Sequence, residues 1–336
     1  MKISEAREVI TIVAQEKIKV AIMIEGSMGV GKSFMVKEIA ETLGLEYIDL
    51  RLAQQEPGDL IGIPRVRDGK TVWGAPEWWP ENNHGGILCL EELNRAPTDV
   101  RQAIFQLVTE WRLHTHVLPE SWIIVSCINP EIGEYQVESL DPAMVRRFCW
   151  IKLTLDVKEW LVWADRTNLN QDFIDFISLN QSLLSITEDW ELSTKPTPAS
   201  YEMLDRLYLR VPENLRFEIS QGCIGREAAV ALSKYIKGEL EPFVKGPEVL
   251  NHYSDYREKI GQQPNDAMYA TILSLVVSCE NGITEDQADN LATFLMEVGR
   301  EQAVAVIKYL EKNLDVQSKL VRRENLRDMI KRIETE

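Results

Sequence analysis

Apolar residues in the first half of the chain fall into short unbroken runs, separated by segments with an apolar position every three or four residues. Val20-Ala21-Ile22-Met23-Ile24 is such a run and predicts a strand covered on both faces, because no polar residue alternates within it. Phe34, Met35, Ile39, Ala40 and Leu43 then follow helical spacing, and the pattern stops at Gly44. Tyr47 to Arg51 reads as a strand and is broken by Gln55-Glu56-Pro57-Gly58-Asp59-Leu60. Arg65 to Trp73 reads as a β-hairpin turning at Asp68-Gly69. Gly86 to Glu92 is a second buried strand that ends in two carboxylates. Pro97 and Thr98 open a helix with Val100, Ile104, Phe105, Leu107, Val108 and Trp111 on its apolar face. Arg112–Val117 and Ser121–Cys127 are strand-like and are expected to pair around Pro119. The segment Leu140–Phe148 leads into a last strand, Cys149 to Leu153. Strands alternating with helices in this way predict an α/β layer with a parallel sheet.

Beyond Leu153 the pattern turns helical. Asp156 with Glu159 is read as a cap for a helix carrying Trp160, Leu161 and Trp163. Further helices are expected over 171–184, 199–210 and 225–237, and Gly238 with Pro242 marks a boundary. Thr284-Glu285-Asp286-Gln287 is a capping box that opens a pattern through Leu291, Phe294, Leu295 and Val298. The last helix, Lys319 to Arg332, mixes basic residues with Leu320, Leu326, Ile330 and Ile333, which suits an amphipathic packing helix. The organisation expected is an αβα domain over 1–155, a helical segment over 156–243 and a helical C-terminal region over 244–336.

Composition narrows the function classes. The chain has 336 residues and a formal net charge of −16, which argues against broad non-specific binding to nucleic acid. Met1 to Gln15, with Ser4 as the expected N-cap, is charged and amphipathic and lacks the form of a signal peptide. No apolar run is long enough to span a bilayer. The five cysteines form no C-x-x-C pair. Cys89, Cys127 and Cys149 lie inside apolar runs and are expected to be buried thiols, consistent with a reducing cytoplasmic setting. His114 and His116 share a spacing that metals can use, but no third ligand accompanies them; exposed hairpin histidines are the better expectation. Trp73, Trp78 and Trp79 suit either a binding surface or packing of the hairpin onto the sheet.

The chemistry concentrates in Gly26-Ser27-Met28-Gly29-Val30-Gly31-Lys32-Ser33, which fits the phosphate-binding P-loop pattern G-x-x-x-x-G-K-[ST]. Its glycines let backbone N–H groups approach phosphate oxygens, and the following helix adds positive charge at its N-terminus. Lys32 is suited to the β- and γ-phosphates and the Ser33 hydroxyl to Mg²⁺. A glycine-rich turn that ends in Lys-Ser by chance has odds on the order of one per cent in a chain this long. The strand before it and the helix after it reduce those odds further. Glu91 and Glu92 end an apolar strand, as in a Walker B segment, and in an open α/β sheet ligands bind beyond the carboxyl ends of the strands. One acid can hold Mg²⁺ while the other polarises a water.

Taken with their neighbours, these segments resemble the AAA+ ATPases, and within them the MoxR-like, dynein-related group. Glu92-Leu93-Asn94-Arg95-Ala96-Pro97 is similar to that group's "D-E-I/L-N-R-A-P" signature. Asp59-Leu60-Ile61-Gly62-Ile63-Pro64 resembles its insertion in the second helix, and Ile128-Asn129-Pro130 its sensor 1. Pro142 to Phe148 resembles the segment that carries its arginine finger. Trp160 to Ala164, Thr197 to Glu202 and Gly222 to Ala229 are similar to lid segments. The likeness covers roughly 18–240.

The resemblance implies an AAA+ P-loop αβα domain followed by a helical lid and a helical C-terminal region. It implies ATP and Mg²⁺ as cofactors, with Gly26 to Ser33 on the phosphates, and Ser33 and Glu91 on the metal. Glu92 is implied as the catalytic carboxylate and Asn129 as the residue positioning the water. Arg147 is implied to reach the nucleotide of a neighbouring subunit in a homo-oligomeric ring, usually a hexamer. Members remodel or mature proteins, often beside a protein with a von Willebrand factor A domain. Neither a direct nucleic-acid contact nor a membrane is expected. Two departures stand out: Glu91 where the group usually has Asp, and Ala199 where the lid usually carries an arginine, with Lys195 nearby. Both point toward slow hydrolysis. These departures motivate one alternative, a slowly hydrolysing, nucleotide-gated scaffold; the other is a motor subunit of a DNA-acting complex, since restriction-linked nucleases use related ring ATPases.

Overall fold

A computed structural model describes residues 1–80, 84–130, 140–184, 194–239, 243–311, 313–323 and 326–327. The chain divides into two compact units, with the change from one to the other at Asp156–Val157.

The first unit contains strands β1 (Ala21–Glu25), β2 (Glu46–Arg51), β3 (Ile63–Arg67), β4 (Lys70–Gly74), β5 (Gly86–Glu91), β6 (Arg112–Leu113), β7 (His116–Val117), β8 (Trp122–Ile128) and β9 (Phe148–Lys152). Its helices are α1 (Ile3–Gln15), α2 (Lys32–Leu43), α3 (Pro57–Ile61), α4 (Thr98–Glu110) and α5 (Pro142–Val145). Five strands make a parallel sheet in the order β2-β5-β8-β1-β9. The central strands β5 and β8 are buried almost along their whole length, which is why they read as unbroken apolar runs. One sheet face, with Ile22, Ile24, Ile87, Ile123 and Val125, packs on α1 and α2. The other, with Met23, Leu50, Leu88, Leu90 and Ile124, packs on Val100, Ile104 and Leu107 of α4. The result is the expected αβα layering. The chain leaves β1 for the edge strand β2, returns through β5 and β8, and crosses β1 to reach β9. The strand order therefore reverses beside β1, and in open α/β sheets ligands bind at the carboxyl ends of the strands at such a point.

Several local expectations change. Helix α1 takes Lys2 as its N-cap, with the Glu5 carboxylate accepting from the Lys2 N–H at 2.9 Å, so Ser4 lies inside the first turn. Strand β6 pairs with β7 in a separate short hairpin and not with β8, which is claimed by the parallel sheet. His114 sits in that hairpin's turn at φ 52° and is not on a strand. Neither histidine is fully exposed. His114 packs on Trp73 at 4.7 Å between ring centroids, His116 on Trp79 at 5.6 Å, and His116 Nε2 lies 3.3 Å from the Ile61 carbonyl. Trp73 and Trp79 thus pack on the β6–β7 hairpin. Cys149 is exposed, on β9, an edge strand of the sheet. The β3–β4 hairpin forms as expected, with Asp68 and Gly69 at φ 50° and 69°, the signs that a tight two-residue hairpin turn demands.

The second unit is helical: α6 (Val157–Arg166), α7 (Gln171–Leu179), α8 (Pro198–Tyr208), α9 (Arg216–Ile224), α10 (Arg226–Ile236), α11 (Gly246–Gly261), α12 (Asn265–Ser278), α13 (Glu285–Glu297), α14 (Arg300–Leu310) and α15 (Leu314–Val321). The helix expected over 171–184 ends at Leu179 and continues as a 3-10 turn at Gln181–Leu183. Asp175 of α7 is 1% exposed and is paired with Lys245, just before α11. Lys158 of α6 donates to the Tyr309 carbonyl of α14 at 3.0 Å. Val244, Leu250, Leu275, Leu291, Phe294 and Val306 share one core. The capping box at Thr284 and Gln287 forms with both bonds. Pro242 and much of the last expected helix, including Ile330, Arg332 and Ile333, lie outside the described residues.

Candidate functional site

The P-loop joins the end of β1 to the start of α2. Gly29 and Gly31 take φ values of 77° and 98°, left-handed conformations that let the loop fold back over the helix N-terminus. Gly26 is buried, and a Cβ there would meet Leu153 and Val30 at 3.2 Å. Lys32 is 9% exposed, and its ammonium donates to the Gly26 carbonyl at 2.6 Å, the Ser27 carbonyl at 3.1 Å and Asn129 Oδ1 at 2.8 Å. Burial lowers the Lys32 pKa, against the opposing pull of Cys127, Glu91 and Glu92. A buried ammonium of this kind is compensated by its partners and is well placed for anions.

Asn129 follows β8 directly and links the sheet to the loop through that bond with Lys32. Its backbone carbonyl accepts from Asn94 Nδ2 at 2.8 Å. Asn94 is fully buried, and its Oδ1 has no partner among the described residues. Sequence reasoning placed Asn94 only within a signature. Its role as the brace that holds Asn129 emerges from the fold.

The two acids diverge. Glu91 is the last residue of β5, is half-buried and accepts from the Cys89 thiol at 3.3 Å. Glu92 leaves the strand in a left-handed conformation, φ 56° and ψ 39°, with its N–H bonded to the Cys127 carbonyl. Its carboxylate pairs with Arg95 at 3.1 Å. Lys32, Glu91, Glu92 and Asn129 thus converge at the carboxyl ends of three adjacent strands. Ser33 is half-buried in the first turn of α2, and Met28 is exposed at the loop's crest.

Arg147 lies apart from this group, on the turn between α5 and β9. It is exposed, and its guanidinium sits over the Phe105 ring of α4 at 5.7 Å. Arg146 is exposed beside it. Ala199 is exposed in the first turn of α8, and Lys195 is half-buried just before it; both belong to the second unit.

The donor set fits a nucleoside triphosphate: a left-handed glycine loop at a helix N-terminus with a buried lysine beneath it. Oxygen ligands from Ser33 and Glu91 suit a hard cation such as Mg²⁺.

Comparison with known proteins agrees with this. Residues 21–148, from the first residue of β1 to the first of β9, match the family described as AAA domain (dynein-related subfamily). The chain is 25% identical over 114 residues to the uncharacterized protein YeaC of Bacillus subtilis (strain 168), covering 32% of this chain and 35% of that protein. It is 24% identical over 206 residues to Midasin of Giardia intestinalis, covering 54% of this chain and 4% of that protein. The chain thus spans well under half the length of these curated relatives. Among solved structures, a candidate ATPase from Cytophaga hutchinsonii aligns at a TM-score of 0.36 and 14% identity, over 92% of this chain and 88% of that one. A mutant RuvB from Thermotoga maritima aligns at 0.39 and 13%, over 86% of each. Structural likeness of that degree adds nothing to the topology already described. The phosphate-binding loop, the paired acids and the matched segment together make the first unit of this chain a P-loop nucleotide site that is similar to the dynein-related subfamily of AAA domains.

Proposed function

We propose that the chain works as a ring of like subunits that uses ATP turnover to remodel or mature a protein partner. The observation that carries this is the Lys32–Asn129 bond at the strand ends, with Glu91 and Glu92 near enough to act electrostatically on the Lys32 ammonium. In this reading Gly26 to Ser33 cradle the phosphates and Lys32 meets the β- and γ-phosphates. Ser33 and Glu91 would hold Mg²⁺. Glu92 accepts a proton from the attacking water, which Asn129 orients. Bound Mg²⁺ would offset charge on the phosphate oxygens. Arg147 serves the nucleotide of the neighbouring subunit, since its guanidinium is exposed and can fork onto phosphate oxygens. Residues 1–155 act as the nucleotide domain, 156–243 as the lid and 244–336 as a region for partner contacts. The partner class includes proteins with a von Willebrand factor A domain, and the setting is the cytoplasm.

Glu91 favours one further reading, a slowly hydrolysing scaffold. Its carboxylate is one carbon longer than aspartate's and already accepts from Cys89. Steady-state turnover of the purified chain, with and without duplex DNA, separates the readings. Turnover that DNA leaves unchanged is expected, with DNA affinity at physiological salt no better than about 10⁻⁴ to 10⁻⁶ M. A nanomolar complex with duplex DNA and DNA-stimulated turnover would instead favour a DNA motor. ATP binding with barely measurable turnover would favour the scaffold.

A further inference from the structure

The sheet face turned toward α2 carries two thiols, Cys89 and Cys127, to which the proposed function gives no part in hydrolysis and which stand beside Glu91. Cys89 precedes Glu91 by two residues on β5, so both emerge on the same face. Cys127 is the register partner of Glu91 on β8 and emerges beside it. The two sulfurs and a Glu91 carboxylate oxygen all lie within 4.8 Å of one another. Both cysteines are buried, and Glu91 is half-buried at the edge facing the P-loop. The electrostatics of Lys32 link it to Cys127 and Glu91.

We propose that Cys89, Cys127 and Glu91 form a chelating site for a thiophilic divalent cation of the zinc–cadmium class, which inhibits ATP turnover by taking Glu91 away from Mg²⁺. Thiolate pairs select such cations over Mg²⁺, and three protein ligands plus a water complete a tetrahedron. Zn–S bonds of about 2.3 Å set two sulfurs roughly 3.8 Å apart, which side-chain adjustment reaches from the observed cluster. A disulfide is less well matched. Cys89 and Cys127 are offset by two positions across the β5–β8 ladder, a diagonal that spans roughly 7–8 Å, beyond the usual Cα range for a disulfide. Binding releases the two thiol protons to water and needs no oxidant. Two thiolates and a carboxylate around a divalent cation leave one negative charge, which faces the Lys32 ammonium.

Chelation stands on the cluster alone, whereas inhibition rests on the proposed assignment of Glu91 to the Mg²⁺ side. The probe is Cd²⁺, titrated into the full chain carrying Cys149→Ser to remove the exposed thiol. Ultraviolet thiolate-to-cadmium charge transfer reports the ligation whether or not ATP is hydrolysed. One equivalent should saturate the band, and adding Cys127→Ser or Cys89→Ser should weaken binding at least about tenfold. Circular dichroism checks folding. Glu91→Gln, which keeps both thiols, should weaken binding in the same direction and serves if a cysteine variant does not fold. No charge-transfer band, or an unchanged titration in Cys127→Ser, would overturn the site. Zn²⁺ should slow turnover in a way that a chelator reverses, and the turnover remaining in Cys127→Ser should lose that sensitivity. A cadmium band without inhibition would overturn the competition for Glu91, while a chain with no turnover would sink the proposed function and leave the titration decisive for the site.

Discussion

Lys32 holds the P-loop closed on itself through two loop carbonyls and reaches across to Asn129. Lys32→Ala removes the only side-chain charge of the P-loop motif. Calorimetry should show nucleotide affinity falling by at least about tenfold, or 1.4 kcal/mol; unchanged affinity would refute the assignment. The adjacent acids can be separated because the backbone separates them. Glu91 continues the strand and faces α2, whereas Glu92 turns away in a left-handed conformation. Glu92→Gln keeps size and hydrogen bonding, so it should bind ATP normally and lose turnover by roughly a hundredfold or more. Glu91→Asp should keep activity or raise it. If Glu91→Gln loses only turnover while Glu92→Gln loses Mg²⁺-dependent binding, the roles are the reverse.

At the scale of elements, the buried strands were legible wherever both faces are covered, because burial removes polar alternation. Helix α2 was legible to its end at Gly44, which takes the left-handed φ of 64° that a helix stop demands. The capping box of α13 was legible because it is a local bond pattern. Elements set by tertiary context were not. Residues 112–117 looked like a partner for β8, but a central parallel strand has both neighbours taken. Helices α11 and α12 left little signal: α12 is apolar nearly all round, and α11 bends at His252, which has φ −143°. In the site, the loop and acids were plain from spacing, but the Asn94 brace and the Cys89–Cys127–Glu91 cluster needed the register of β5 on β8. Register also explains Gly86, the first residue of β5. It lies beneath the Trp122 indole, where an added Cβ would stand 2.5 Å from a ring carbon. Gly86→Ala should lower unfolding stability by about 1–3 kcal/mol in denaturant titrations, with nucleotide affinity retained. No loss of stability would mean that the indole has room to move.

At the scale of the whole molecule, the proposed function has catalysis shared between subunits. Arg147 does not join the group at the strand ends; it stands exposed over Phe105 on a different part of the first unit. An arginine supplied to a phosphoryl-transfer site contributes about 10³ to 10⁵ in rate. Arg147→Ala should therefore bind nucleotide normally and lose turnover, with Arg146→Ala as the control for the neighbouring guanidinium. The most direct measurement mixes two inactive variants, Arg147→Ala and Glu92→Gln, and follows phosphate release as a function of their ratio. Shared sites predict that activity returns at intermediate ratios, because some interfaces then pair an intact Glu92 with an intact Arg147. Wild-type turnover independent of protein concentration, in a chain that stays monomeric with ATP, would contradict the shared site.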